Sequence, residues 1–469
     1  MIEKRMTSLW LLDMEVLMTN PAENKTAQGL EGRSRETLGD EFVSAETIVS
    51  VKRTAGERSQ RLSLAEIEEL SRENRWEDIL ASFFPVTEKL PELAEEGLDI
   101  PVREKLAFAL GQLGRFDDAI AELQTCIGRE PMNFRCHSSL AYTAYNSLYA
   151  AKNRRILLAG RHRAERIRLA HHHFQAAQAL RPDGVTVFYR EGMLWKQIEG
   201  KADRALPLFQ KAVANWESLP EEEREKRHQE RKNYVKSLYQ LASALCAVER
   251  PKAALPVLEK CIAEDEQSGH LSLVHKYFAL GKVHFLLSRM VEARDALQFA
   301  LRCRSEEPVD FVHELLARVF LGLNDPAKAL EVVRRVPEKV RRPYVRWTEA
   351  DALCGLKRWE EARAVLGRAL ERDGRSRHKT LIRLCRLEYL LGETDKAFSH
   401  AAEADRFFRE QWGNPCADGL FWMAACAIKS GDREKARSLA EELQAFRPGY
   451  EKLGLLLSKL QAAFPGERG

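Results

Sequence analysis

The residues most able to do chemistry are the run His171-His172-His173, nine cysteines and several arginine clusters. Imidazoles ligate metals, but consecutive helical residues point about 100° apart, so three in a row cannot converge on one ion. His162 lies too far along the chain to complete a set without a long turn. The run is expected to be a partly exposed helical segment, with no metal and no cofactor. The cysteines stand singly, without a Cys-x-x-Cys pair, which speaks against a zinc site or a disulfide framework and fits a reducing compartment. None has a histidine and an acid in its own register. There is no glycine-rich phosphate loop, His-Glu-x-x-His, nucleophile elbow or kinase signature. No catalytic residue, and no enzyme, is expected.

The arginines are the stronger signal. Residues 152–168 carry Lys152, Arg154, Arg155, Arg161, Arg163, Arg166 and Arg168 against Glu165 alone. Residues 334–346 add Arg334, Arg335, Lys339, Arg341, Arg342 and Arg346. Residues 368–386 add Arg368, Arg372, Arg375, Arg377, Lys379, Arg383 and Arg386, partly offset by Glu371 and Asp373. Such stripes attract phosphates without regard to sequence and attract acidic proteins equally well. Alternatively they solvate helix faces and complement helix C-termini. Arg154, Arg155, Arg161, Arg163, Arg341 and Arg342 form the candidate basic patch. A net charge of +4 over 469 residues does not by itself mark a nucleic-acid protein.

What positions these side chains is a helical repeat. Alanine, leucine, glutamate and arginine dominate, while valine, isoleucine and threonine are sparse, which favours helices over strands. Gly114-Arg115-Phe116-Asp117-Asp118-Ala119 returns as Gly392-Glu393-Thr394-Asp395-Lys396-Ala397 and as Gly431-Asp432-Arg433-Glu434-Lys435-Ala436. The marker alanine recurs at 119, 170, 205, 254, 293, 329, 362, 397 and 436. Four residues later comes Leu123, Phe174, Phe209, Leu258, Leu297, Val333, Leu366, Ala401 or Ala440. Seven later comes Cys126, Ala177, Ala212, Cys261, Ala300, Val336, Ala369, Ala404 or Leu443. Positions i, i+4 and i+7 share one helix face, so this stripe packs a second helix closely on the one before it. The preceding helix has its own stripe, as in Leu106, Leu110 and Leu113, and a turn with Gly114, Gly200, Asn324, Gly392 or Gly431 separates the two. Asp325-Pro326 reads as an N-cap followed by proline at the first helical position.

Leu106, Gly114, Ala119, Cys126 and Pro131, and again Leu280-Gly281 with Ala293 and Ala300, resemble the tetratricopeptide repeat, a helix-turn-helix unit of about 34 residues. The resemblance covers 60–463 and implies an all-α fold, an α-solenoid: a right-handed superhelix of about ten hairpins with a C-terminal capping helix. The hairpins are placed near 60–93, 100–133, 134–182, 185–216, 233–268, 274–307, 310–341, 343–376, 378–411 and 417–449, with the cap at 450–463 and a tail at 464–469. Two insertions, about 147–166 and 217–233, should lengthen hairpins as exposed helices; the second reads Glu221-Glu222-Glu223-Arg224-Glu225-Lys226-Arg227. Residues 1–59 lack the period and are expected to be mostly disordered, with one short helix at 7–18. Asp13 and Glu15 interrupt the apolar start, so neither a signal peptide nor a membrane span is expected, and the expected location is cytoplasmic.

In this family the first helices line a concave surface. The transferred register places Phe108, Arg135, Tyr142, Tyr145, Asn146, Lys236, Tyr239, Phe278, Lys282 and Phe285 there. It also places Phe311, Arg318, Tyr344, Trp347, Lys379, Arg386, Tyr389, Phe421 and Lys429 there. Members that clamp a terminal carboxylate use paired Asn and Lys residues, of which only Asn146 is suitably placed. The resemblance implies a non-enzymatic scaffold or adaptor holding a protein or peptide partner in an aromatic and basic groove. Alternatives are a peptide-responsive regulatory sensor and an RNA- or DNA-binding accessory subunit; no membrane partner is expected.

Overall fold

The alternation of small and large residues along one stripe has its expected packing result. All nine marker alanines are 0% exposed, and the residues four and seven positions after each of them are buried as well. A methyl group at the contact lets the second helix sit close to the first, and the bulkier neighbours fill the space around it. First helices show the same economy. A Cβ on Gly281 would fall 2.6 Å from Leu297 Cγ, and one on Gly192 would fall 2.6 Å from the Phe209 ring.

The computed structural model describes residues 45–266, 268–303 and 308–464. The chain divides into two units, Met1–Leu271 and Ser272–Gly469. In unit 1, α1 (Ala45–Arg72) and α2 (Trp76–Phe83) are followed by two short helices, α3 (Val86–Lys89) and α4 (Pro91–Glu96). Then come the pairs α5 (Ile100–Gln112) with α6 (Phe116–Arg129), and α7 (Phe134–Lys152) with α8 (Gly160–Leu180). α9 (Thr186–Met193) runs on as a π-helical turn, Leu194–Ile198, and pairs with α10 (Ala202–Glu217). A short α11 (Glu221–Lys226) precedes the pair α12 (His228–Ala247) and α13 (Pro251–Glu264).

Unit 2 repeats the pattern: α14 (Leu273–Leu286) with α15 (Met290–Arg302), and α16 (Asp310–Gly322) with α17 (Pro326–Arg334). After a 3₁₀ turn at Glu338–Val340 come α18 (Pro343–Gly355) with α19 (Trp359–Arg372), and α20 (Arg377–Leu391) with α21 (Thr394–Trp412). The last pair is α22 (Ala417–Ser430) with α23 (Arg433–Phe446), followed by α24 (Leu453–Ala463). No strand occurs among the described residues. Each unit is all-α and built of successive paired helices.

One left-handed residue reverses the chain between paired helices: Asn74, Gly114, Arg154, Gly200, Glu249, Ser288, Asn324, Lys357, Gly392 or Gly431, with φ between 57° and 87°. Asp325 caps α17 as expected, accepting from Lys328 N at 3.0 Å, and Asp432 does the same for α23 from Lys435 N at 3.1 Å. Tyr450, Leu453 and Leu456 seat α24 on the last hairpin, and the Tyr450 hydroxyl donates to Asp418 Oδ1 at 2.6 Å. The expected helix at 7–18 lies outside the described residues. α1 begins at Ala45, so helix enters the stretch expected to be disordered. The insertion at 147–166 lengthens both α7 and α8 and leaves a seven-residue connection between them, 153–159. That at 217–233 forms α11 and the first turns of α12. No helix among the described residues is long and apolar enough to cross a membrane.

Candidate partner-binding face

In each unit, successive first helices touch one another as well as their own partners. α5 meets α7, α7 meets the π turn and α9 meets α12; in the other unit α14, α16, α18, α20 and α22 meet in sequence. Among the described residues, second helices make no comparable contacts with each other. First helices therefore crowd the inner side of the array within each unit, and the side chains they turn away from their hairpin partners share one face.

On that face, aromatic residues and cations are paired rather than merely interspersed. The Arg190 guanidinium lies 3.6 Å from the Tyr142 ring centroid. Arg318 lies 4.8 Å from Phe285, Arg383 4.8 Å from Trp347, and Lys429 4.4 Å from Tyr389. Lys452, just before α24, lies 5.6 Å from Phe421. In the first four pairs the ring belongs to one first helix and the cation to the next first helix along the face. Contacts of this kind contribute about 0.5–2 kcal/mol each, more when desolvated. They also hold the charges on rigid supports.

The pairing decides what the face can offer. Trp347 is only 4% exposed; its Nε1 donates to Thr380 Oγ1 at 2.8 Å. Phe311 is buried against Phe278, with ring centroids 4.7 Å apart, and Phe285 and Phe421 are buried too. Tyr145 is buried and its hydroxyl donates to Gln197 Oε1 at 2.9 Å. Tyr344 donates to Asp310 Oδ2 at 2.9 Å. These aromatics join neighbouring hairpins and are not open anchors for a partner. Tyr142, Asn146, Tyr239, Phe278, Lys282, Arg318, Lys379, Arg386 and Tyr389 are half-buried on the face, and Lys236 lies among them. Phe108 is 52% exposed and, with Arg135, borders an open cleft of about 550 Å³ lined also by Glu68, Lys105 and Phe134.

Charge is balanced differently in the two units. In unit 2, Glu314 is buried, accepts from Thr348 Oγ1 at 2.7 Å and lies 3.9 Å from Arg318. Burial lifts its carboxyl above the ordinary value, with Arg318 and Thr348 opposing. Asp351 lies 4.0 Å from Arg383, whose pKa burial pushes down to about 10. In unit 1, among the described residues, neither Arg190 nor Lys236 forms an ion pair with a carboxylate, and Arg190 instead lies over the Tyr142 ring. Burial lowers the pKa of both, and Lys232 and Arg190 lower that of Lys236 further. Sequence reasoning missed Arg190 because the carried register marks positions within one hairpin. Which cation covers which ring depends on how hairpins stack.

The candidate basic patch splits. Arg154, Arg155, Arg161 and Arg163 are exposed on the connection and first turns of α8, with Glu165 bonded to Arg161 at 3.1 Å. Arg342 is exposed as well. Arg341 is a correction: its side chain is 9% exposed and its Nη1 donates to Glu349 Oε2 at 2.8 Å. It further donates to the carbonyls of Val336 and Arg334. It braces the α17–α18 connection rather than presenting charge.

The histidine run is a partly exposed helical segment. The three rings point apart, as the 100° rotation requires: His171 half-buried, His172 exposed, His173 buried. Among the described residues no group of three or more His, Cys, Asp or Glu could hold a metal. His171 Nδ1 lies 2.8 Å from Glu191 Oε1 and Nε2 lies 2.7 Å from Glu199 Oε1. Only the imidazolium can donate both bonds. Burial opposes the charge, but the bonds to Glu191 and Glu199 outweigh it and raise the pKa. His173 goes the other way. His137 Nε2 donates to Pro131 O at 2.9 Å, and its Nδ1 lies 2.8 Å from His173 Nδ1, so one proton is shared between the two rings there. Burial, then His137 and His172, push His173 down to about 4.

A raised folded pKa gives stability that is complete below the unfolded value and lost as pH rises through the folded one. The stability difference between wild type and His171→Gln should therefore be larger at pH 6 than at pH 9 in urea unfolding. A pH-independent difference would mean the ring is not charged in the folded state.

Seven of the nine cysteines are buried and behave as small hydrophobes, and Cys126, Cys136, Cys261 and Cys385 have no exposure. Cys136 packs beside Cys126, and Cys385 shares a core cluster with Cys426, neighbours that linear spacing did not show.

No family model matches the sequence, and no curated protein matches it. Solved structures do resemble it. A tetratricopeptide repeat protein from Parabacteroides merdae is 12% identical, with 59% of this chain and 98% of that chain covered and a TM-score of 0.43. For yeast Tom70 the identity is 14%, the coverage 87% and 96%, and the TM-score 0.39. For Pseudomonas aeruginosa PilF they are 19%, 52% and 99%, and 0.37.

Proposed function

We propose that this chain is a non-enzymatic scaffold that binds a protein or peptide partner along the concave face of its first helices. The observation that carries this reading is the series of cation-capped aromatics. With the ring faces covered, the face offers a partner positive charge on rigid supports, with half-buried Tyr142, Tyr239, Phe278 and Tyr389 between the charges. Such a surface favours an acidic segment lying along it, with electrostatics setting specificity and association rate.

Affinity capture with mass spectrometry tests the reading. The charge-reversal variant Lys282→Glu, Arg386→Glu, Lys429→Glu alters half-buried and exposed positions of unit 2 while sparing buried Trp347. Partners captured by the wild type should be lost from this variant at an unchanged circular-dichroism spectrum. Their retention would remove the assignment of the face.

A second reading is favoured by the four exposed arginines Arg154, Arg155, Arg161 and Arg163, which face only Glu165 in their own segment. An RNA-binding accessory role would use them as phosphate contacts, with affinity falling steeply with salt. Absence of a gel shift with single-stranded RNA at low salt would eliminate it.

A further inference from the structure

One hairpin of unit 1 is longer than the one before it. α7 runs for 19 residues and α8 for 21, against 13 for α5 and 14 for α6. The extra length lies at the end where the two helices meet. The marker Ala119 is the fourth residue of α6, whereas Ala170 is the eleventh of α8. At about 1.5 Å per helical residue, the added turns carry the connection 153–159 roughly 10 Å past the level of the Gly114 turn.

The base of this projection is tied to its neighbours. Lys152 Nζ donates to Gln197 O at 2.6 Å, Arg163 Nη2 donates to Ile198 O at 3.0 Å, and Arg166 pairs with Asp117. The tip is open. Leu157 is fully exposed between half-buried Ile156 and Leu158. Arg154 and Arg155 stand exposed just before this apolar run, and Arg161 stands exposed just after it. Among the described residues neither Arg154 nor Arg155 pairs with a carboxylate, and Arg161 meets Glu165 alone, at 3.1 Å. The order is arginine pair, aliphatic apex, arginine again. An aliphatic side chain held in water at the apex of a rigid projection is stabilised by any surface that takes it out of water.

We propose that the α7–α8 tip is a contact site for an anionic lipid surface: Leu157, with Ile156 and Leu158 beside it, enters the membrane interface while Arg154, Arg155 and Arg161 meet lipid headgroups. A convex apex needs no complementary pocket in a soft bilayer, and guanidinium groups match phosphate and carboxylate headgroups. One short aliphatic tip attaches weakly by itself. The arginines supply the second attraction, so binding depends on anionic lipid and falls with salt. The absence of a spanning helix among the described residues does not bear on such peripheral contact. RNA suits the same arginines less well. Bases stack on aromatic faces, and the chain has no Phe, Tyr or Trp between Tyr149 and Phe174. A phosphate backbone also leaves the leucine at the centre of the cluster without a role.

Co-sedimentation of the full chain with vesicles tests the site. At low salt the protein should pellet with phosphatidylcholine vesicles containing phosphatidylserine and stay in solution with phosphatidylcholine alone. Leu157→Asp should weaken binding about fivefold, and Arg154→Gln, Arg155→Gln, Arg161→Gln about tenfold or more. Both variants alter exposed side chains, so their circular-dichroism spectra should match the wild type. The unit 2 variant Lys282→Glu, Arg386→Glu, Lys429→Glu should pellet as the wild type does, which separates this site from the partner-binding face. No pelleting with the anionic vesicles, or equal pelleting of wild type and both tip variants, would overturn the proposal. Weakening by the arginine changes but not by Leu157→Asp would overturn the insertion of the apex. So would an RNA gel shift, abolished in the arginine variant, from a protein that ignores the vesicles.

Discussion

Replacing Glu349 with alanine is expected to destabilise unit 2 by about 3–5 kcal/mol, the range for breaking a buried ion pair from one side. The Glu349 side chain is 2% exposed and receives Arg341 Nη1 at 2.8 Å and Arg334 Nε at 3.1 Å. Arg334 is 41% exposed and can rehydrate, but Arg341 is only 9% exposed and, among the described residues, has no other carboxylate within ion-pair distance. The cost comes mainly from that stranded guanidinium, so Glu349→Gln should cost less by keeping one acceptor. Natural domains have about 5–15 kcal/mol in total, and hairpins of an array contact only their neighbours. The loss should therefore appear first as faster amide exchange in α17 and α18, and then as a lower urea midpoint. A change below about 1 kcal/mol would mean that Arg341 is open to solvent after all.

Asp99→Ala should cost unit 1 somewhat less, about 3 kcal/mol, for a reason visible in its partners. The Asp99 side chain is 0% exposed and joins Arg103 Nε at 2.6 Å to Arg129 Nη1 at 2.5 Å, tying the start of α5 to the end of α6. Without it the buried Arg103 still meets Glu122, and Arg129 is 38% exposed. Compensation is therefore partial where at Glu349 it is nearly absent. Exchange should accelerate in α5 and α6 first. An Asp99→Ala protein with wild-type exchange in both helices would refute this bracing.

The marker alanines made the hairpins legible because their burial is dictated within a single hairpin, by a spacing the sequence displays. The turns were only half legible. Gly114, Gly200, Gly392 and Gly431 announce the left-handed residue, but Glu249, Ser288, Lys357 and Arg154 adopt it without that signal. Strain of about 1–2 kcal/mol is accepted there because packing on both sides fixes the reversal. The face was legible in composition but not in accessibility. Phe285, Phe311 and Trp347 lie at the carried positions yet spend their rings on adjacent hairpins. Arg190 escaped notice because the ring it covers, Tyr142, belongs to the preceding hairpin, and Lys196 because the π turn at Leu194–Ile198 breaks the regular helical register. Arg341 read as surface charge because its acceptor, Glu349, lies across a proline-led turn.

Site-specific photo-crosslinking tests the central claim most directly. A benzoylphenylalanine placed at Tyr142, Tyr239, Lys282 or Tyr389 probes the first-helix face, and one at Lys211, Glu259, Arg294 or Arg437 probes the second helices. On irradiation with a captured partner, the first set should give crosslinks and the second set should not. Crosslinks confined to the second helices would contradict the account.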